Sequence, residues 1–114
     1  MIQNETICAA ATPAGGAITV IRVSGDNAIK IADKIFRGKA KLSETRPNSI
    51  RYGEIVDTDG TIVDDVLISV FKSPNSYTGE NSIEISCHGS MYITKSIIKL
   101  LVDNGCKLAR PGEF

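Results

Sequence analysis

The pattern of hydrophobic and polar positions in the first quarter of the chain predicts two β-strands. Short apolar runs occupy residues 5–11 and 17–24, and the turn-forming segment T-P-A-G-G separates them. Isoleucine and valine fall on both sides of the second run, so neither of its faces is polar. We therefore expect the second strand to be covered on both faces.

A helical period follows these two runs. Asp26 is a candidate N-cap for a helix that continues to about Arg37, and Gly38 can adopt the left-handed conformation that commonly follows a helix. Residues 39–49 are polar and turn-forming, without a period. They predict a surface connection.

The middle of the chain predicts a β-hairpin. Residues 50–57 and 61–72 flank Asp59 and Gly60, a dipeptide that tolerates the positive φ angles of a type I′ turn. Residues 73–81 then concentrate proline, asparagine, serine and glycine. Each of these residues favours turns, so the segment predicts a loop.

The last third predicts a strand, a helix and a short final strand. Residues 82–87 alternate strictly between apolar and polar, as a half-buried strand requires. Ser90 can cap a second helix, Asn104 and Gly105 end it, and residues 106–109 form the last strand. The apolar positions expected to face the core from this helix are Met91, Ile93, Ile97, Ile98, Leu101 and Val102.

Together these elements predict an α+β fold with a mixed β-sheet of about six strands and two main helices, both on one face of the sheet. A length of 114 residues suits a single domain over residues 1–114. The final Pro-Gly turn leaves Phe114 without a downstream partner. We therefore expect the chain to be a piece of a longer protein.

Composition narrows the classes of function. Hydrophobic residues make up 42% of the chain and charged residues 23%, as in a folded globular protein. Thirteen basic and thirteen acidic residues cancel, so nucleic-acid binding by this segment alone is not expected. The apolar runs are far shorter than the roughly 20 residues of a membrane helix, and no leader peptide is evident. A cytoplasmic location is expected.

The sequence offers few groups for catalysis or metal binding. The phosphate-binding pattern G-x-x-x-x-G-K-[ST] does not occur, and the three cysteines are too far apart for a zinc or redox pair. His88 is the sole histidine. Asp64 and Asp65 fall on opposite faces of a strand and are not expected to act as a carboxylate pair. We expect no catalytic residue and no metal site, and buried, unreactive thiols at Cys8, Cys87 and Cys106.

Two charged residues are candidates for ligand binding. Arg22 lies in an apolar strand, where its guanidinium needs either a ligand or a structural ion pair. Glu80 ends the loop S-Y-T-G-E, where a carboxylate can accept two parallel N–H bonds from a flat heterocycle such as a pterin, or can simply be solvated. Tyr77 in this loop can stack on a ring, although packing is the preferred interpretation. Glu84 is expected to pair with a basic residue on a neighbouring strand.

Five segments, in order along the whole chain, resemble the N-terminal domain of the MnmE (TrmE) family of tRNA modification GTPases. They are E-T-I-C-A, A-T-P-A-G-G-A-I-T-V-I-R-V-S-G, P-N-S-Y-T-G-E-N, E-I-S-C-H-G-S and A-R-P-G-E-F. The resemblance implies an α+β module like the folate-binding part of one-carbon aminomethyltransferases, which also forms a homodimer. It implies that Arg22 and Glu80 contact 5-formyltetrahydrofolate or a related tetrahydrofolate derivative.

The chain departs from the family pattern in three places. The usual first loop, P-P-G-R-G-G, is shortened to P-A-G-G without the arginine, and Tyr77 stands where phenylalanine is common. A third folate contact of the family, a lysine shortly after P-G-E-F, would lie beyond Phe114. The site in these 114 residues is therefore expected to lack one contact.

The resemblance also implies what the longer protein does. A helical domain and a GTPase domain, which binds GTP, Mg²⁺ and K⁺, would lie outside this segment. With the FAD-containing partner MnmG, the protein would form the 5-carboxymethylaminomethyl or aminomethyl group on the wobble uridine of tRNA. This segment by itself is expected to catalyse nothing. The alternative is a purely structural dimerisation scaffold without folate turnover.

Overall fold

The computed structural model describes residues 5–13, 16–72, 80–110 and 112–114. Its helices are α1 (Ala28–Asp33) and α2 (Met91–Asp103), with a short 3₁₀ turn at Leu42–Glu44. Its strands are β1 (Ile7–Ala10), β2 (Ile18–Ser24), β3 (Phe36–Gly38), β4 (Ser49–Val56), β5 (Ile62–Phe71), β6 (Ser82–His88) and β7 (Lys107–Leu108).

The seven strands form one mixed sheet in the order β3-β4-β5-β6-β2-β1-β7. Strands β1 and β7 are parallel, whereas the other neighbouring strands are antiparallel. The predicted α+β class with two helices is confirmed, but the sheet has seven strands where six were expected. No helix within the described residues is long and apolar enough to cross a membrane.

The additional strand is β3, which lies inside the segment predicted as the end of the first helix. Helix α1 stops at Asp33, and Asn27, with no side-chain cap, takes the N-cap position expected of Asp26. Strand β3 pairs with β4, so that Gly38 lies opposite Gly53. A Cβ atom on Gly53 would lie 2.5 Å from both the Arg37 carbonyl oxygen and the Phe36 ring, and the backbone contact shows why this pairing needs glycine. Gly38 is therefore an edge-strand residue and not a helix cap.

The core lies between the two helices and one face of the sheet. Both helices pack with the inward side chains of β2, β5 and β6 in one cluster, whose fully buried members include Ile21, Ile68, Ile85, Ile97 and Leu101. On the opposite face of β2, Ile18 is exposed and Val20 and Arg22 are half-buried. Among the described residues no helix or strand packs on this second face, and only Ser24, at its far end, is buried there, so the expected covering layer is not seen over the rest of β2. We call this second face the open face of the sheet.

The predicted boundaries of α2 and of the hairpin are confirmed, with two differences in detail. Ser90 Oγ accepts a hydrogen bond from the Ile93 amide at 3.2 Å, and Gly105 follows the helix with a φ of +119°. Two of the predicted core positions of α2, Met91 and Val102, are exposed, while Leu100 is buried.

The hairpin joins β4 to β5 as predicted, but its turn is not type I′. Gly60 has a φ of +87°, whereas Asp59 does not have a positive φ. The Gly60 amide donates to the Asp57 carbonyl oxygen at 2.9 Å. A single left-handed glycine therefore closes the turn. Most of the predicted loop over residues 73–81, including Tyr77, lies outside the described residues.

Candidate functional site

Arg22 projects from β2 on the open face and is held by an ion pair. Its Nε and Nη2 atoms donate to Glu84 Oε2 at 3.0 and 2.8 Å. Glu84 lies directly opposite Arg22 in the β2–β6 register, so the sheet itself sets this geometry. The two side chains are 22% and 27% exposed, respectively. The pairing predicted for Glu84 is confirmed, and the partner that Arg22 requires is a carboxylate on the next strand.

An aromatic ring also lies near the guanidinium. The Arg22 Cζ atom is 5.8 Å from the centroid of the Phe114 ring, within the range of a cation–π contact. Phe114 remains 43% exposed. Phe114 therefore has a partner in Arg22, which the sequence did not indicate.

Glu80 is brought to the same end of the open face by a serine. The Ser24 hydroxyl donates to Glu80 Oε1 at 3.0 Å, and the Gly25 amide donates to the carbonyl oxygen of Asn81 at 2.9 Å. Ser24 follows Arg22 by two residues along β2, so both side chains point to the same face. The structure thus joins the two candidate residues through one strand. Ser24 was missed, although its spacing from Arg22 was the available signal.

An exposed apolar patch adjoins this polar cluster. We define the open-face patch as Ile18, Tyr52 and Leu67, which are 61%, 64% and 48% exposed. These three residues line a shallow depression of about 290 Å³. Tyr52 and Leu67 are cross-strand partners, and the next same-face row runs through Ser69 and Glu84 to Arg22. The apolar patch and the charged pair are therefore adjacent.

Asp64, Asp65 and His88 meet where the pairing of β5 with β6 ends. Asp64 is buried and accepts from the His88 amide at 2.9 Å, while its other oxygen lies 2.8 Å from His88 Nδ1. One oxygen of each carboxylate and one ring nitrogen lie within 4.8 Å of one another. Asp64 is buried and Asp65 is exposed, as expected for neighbours on opposite faces of a strand, yet one oxygen of each still comes close to the other. Both Asp64 oxygens bind His88, so hydrogen bonds explain why these two residues lie together.

The three cysteines are free and buried, as predicted. Burial, with the nearby Asp64 carboxylate, raises the pKa of Cys87 to about 11. The pKa of Cys106 is also raised, by its hydrogen bond to Cys8 and by burial. Since the thiolate is the reactive form, Cys87 and Cys106 are unsuited to nucleophilic chemistry at neutral pH. The hydrogen bond with Cys106 lowers the pKa of Cys8, whose thiol is buried.

Fold and site together define an α+β sheet domain that has a charged cluster on its uncovered face. Comparison with known proteins identifies the family. The family model described as "GTP-binding protein TrmE N-terminus" matches residues 6–114. The chain therefore belongs to the TrmE (MnmE) family.

Curated relatives agree with this assignment. The chain is 52% identical over 118 aligned positions to the tRNA modification GTPase MnmE of Flavobacterium psychrophilum, with 100% of the chain and 25% of that protein covered. It is 49% identical to the protein of the same name from Bacteroides thetaiotaomicron and 48% identical to that from Acholeplasma laidlawii, each with 99% of the chain and 25% of the relative covered. The chain thus spans about a quarter of the length of these relatives.

Proposed function

We propose that this chain is the tetrahydrofolate-binding domain of a longer tRNA modification GTPase. The observation that carries the proposal is the placement of Arg22 and Glu80 on one end of the open face, connected through Ser24. Ser24 holds one oxygen of the Glu80 carboxylate at 3.0 Å, beside the strand that carries Arg22. A ligand that offers both donors and acceptors would use this carboxylate together with the guanidinium.

The two side chains fit the polar edge of a pterin ring. Glu80 supplies carboxylate oxygens to a flat heterocycle with adjacent N–H donors, a geometry that favours two parallel bonds. Arg22, whose orientation Glu84 fixes, supplies a charged planar donor to a carbonyl oxygen of the ligand. The bound folate would supply a one-carbon unit for the substituent at carbon 5 of the wobble uridine. The partner MnmG and the GTP, Mg²⁺ and K⁺ of the remaining protein would complete that reaction on tRNA.

Calorimetry with 5-formyltetrahydrofolate tests this proposal. The titration uses the 114-residue chain and a chimera in which Phe114 is joined to the remainder of the Flavobacterium psychrophilum relative. We expect saturable binding by the chimera, and Arg22→Gln and Glu80→Gln should each weaken it about tenfold, since each removes a charged hydrogen bond. Arg51→Gln and Glu44→Gln, which remove the same charges from exposed positions elsewhere, are the matched controls. Absence of binding by the chimera would overturn the proposal.

A second role, homodimerisation, is favoured by the open-face patch. Three large apolar side chains on one sheet face are unusual for a monomer surface and are suited to contact with a second copy. The two edge strands, β3 and β7, have three and two residues, which makes edge-to-edge pairing a poor alternative.

Sedimentation at several concentrations measures this association. Tyr52→Lys should shift the chain toward monomer, because it places a charge within the patch. Tyr92→Lys is the control, since Tyr92 is an exposed tyrosine on α2, away from the open face. A wild-type chain that stays monomeric at every concentration would exclude the dimer.

A further inference from the structure

A cavity of about 350 Å³ lies on the helix-covered side of the sheet, beside the first turn of α2. This volume is within the range of small-molecule pockets. The side chains that line it include Ala10, Thr12, Thr19, Met91, Thr94 and Lys95. The cavity is separate from the candidate folate site, because Thr19 and Ser24 lie near opposite ends of β2 and on opposite faces.

The Thr19 hydroxyl is the first sign of a ligand. Thr19 is only 4% exposed, and within the described parts of the chain its hydroxyl has no hydrogen-bond partner. No polar side-chain atom without a partner is fully enclosed there, so this hydroxyl keeps some exposure, and Thr19 is one of the residues that line the cavity. The hydroxyl is therefore available as a donor to an acceptor bound in the cavity.

The remaining polar groups at the cavity favour an anion. Lys95 has no ion pair with any residue that the structure describes, and the described side chains around the cavity include no carboxylate. Thr12 Oγ1 accepts from the Val20 amide at 3.0 Å, which leaves its proton available to an acceptor. Helix α2 also begins here, and its first amides lack intrahelical acceptors. The Thr12 and Thr19 hydroxyls, the Lys95 side chain and the N-terminal end of α2 thus border the same cavity, while the Thr94 hydroxyl donates to the Ser90 carbonyl oxygen.

The apolar part of the lining limits what kind of anion fits. Ala10 and Met91 border the same space as the donors. An inorganic ion alone would leave this apolar surface wet, whereas an organic anion would cover it. We propose that the cavity binds a small organic anion. Its carboxylate or phosphate group would lie between Lys95 and the Thr19 hydroxyl, and its aliphatic part against Ala10 and Met91.

Nuclear magnetic resonance titrations of the 114-residue chain test this proposal with three probes that share one tail: n-hexanoate, n-hexyl phosphate and n-hexanol. Either anion should give saturable shifts of the amide signals of Thr19 and Met91, and the stronger of the two identifies the head group. Hexanol should bind at least about fivefold more weakly, because it lacks the charge. Equal binding of hexanol, or no saturable shift with either anion, would overturn the proposal.

Matched variants test whether the anion binds between Lys95 and Thr19. Lys95→Gln and the nearly isosteric Thr19→Val should each weaken the better anion about fivefold, whereas Lys99→Gln, with the same charge change one turn further along α2, should not. Lys95 is exposed, so its variant remains informative if Thr19→Val fails to fold. Glu80→Gln should leave this binding unchanged, which separates it from folate binding. Equal affinity of wild type and Lys95→Gln would contradict the assignment.

Discussion

Replacing Gly89 by alanine should strongly destabilise the fold. The Gly89 amide donates to the carbonyl oxygen of Ala17 at 2.9 Å, which brings the start of α2 against the segment before β2. A Cβ atom at Gly89 would lie 1.8 Å from the Gly16 carbonyl oxygen and 2.8 Å from its carbon. These are backbone atoms, so no side chain can rotate away to relieve the overlap.

The cost of Gly89→Ala follows from this geometry. Carbon and carbonyl oxygen approach to about 3.3 Å at the closest, so the two segments must separate by about 1.5 Å. Overpacking of this kind costs about 1–3 kcal/mol, and loss of the Gly89 hydrogen bond adds about 1 kcal/mol. We therefore expect the free energy of unfolding to fall by about 3 kcal/mol, and the melting temperature by at least about 10 °C.

Urea unfolding followed by circular dichroism measures this change. Gly16→Ala is the matched control on the other side of the same contact, since its Cβ would lie an ordinary 3.6 Å from the Ile18 carbonyl oxygen. The control should change stability by less than about 0.5 kcal/mol. If Gly89→Ala unfolds at the wild-type urea concentration, the close approach of these two segments is refuted.

Three further predictions concern capping, the ion pair and a thiol. Ser90→Ala removes the acceptor of the Ile93 amide and should cost about 1 kcal/mol in urea unfolding; no loss would contradict the cap. A double-mutant cycle of Arg22→Gln and Glu84→Gln should give a coupling of about 1 kcal/mol, because the pair is partly solvated; strictly additive effects would exclude a stabilising pair. The raised pKa of Cys87 stabilises the fold below the unfolded-state pKa of about 8.5, and this contribution is lost as pH rises toward 11. Unfolding midpoints at pH 7 and 10 should therefore differ more for wild type than for Cys87→Ala, and equal differences would refute the shift.

The local pattern of apolar and polar residues predicted most of the fold. It failed where pairing with a strand distant in sequence determines the secondary structure. The strict alternation of β6 and the Ser90 cap of α2 are local signals, and both are confirmed. The residues of β3 continue the apolar period of α1, so they also fit a helix. They form a strand because β4 offers a partner with Gly53 in register. That partner is 15 residues from Gly38 in sequence, beyond the reach of a helical pattern.

The residue types of the candidate site could be predicted from the sequence. Which of these residues contact each other could be predicted only in part. An arginine in an apolar strand requires compensation, and Glu84 had already been expected to pair across the sheet. Their alignment depends on the β2–β6 register, which links residues 62 positions apart. The open face could not be predicted, because isoleucine and valine in β2 are equally compatible with a covering layer. The cavity beside α2 could not be predicted from the sequence either, since its shape depends on how α2 packs against the sheet.

The most direct test of the central proposal is a crystal structure of the chain with 5-formyltetrahydrofolate bound. We predict that the pterin edge lies on the open face within about 3 Å of the Glu80 carboxylate, with Arg22 on the same side of the ring. A pterin bound elsewhere, such as in the cavity beside α2, with no contact to Arg22 or Glu80, would contradict the proposed function.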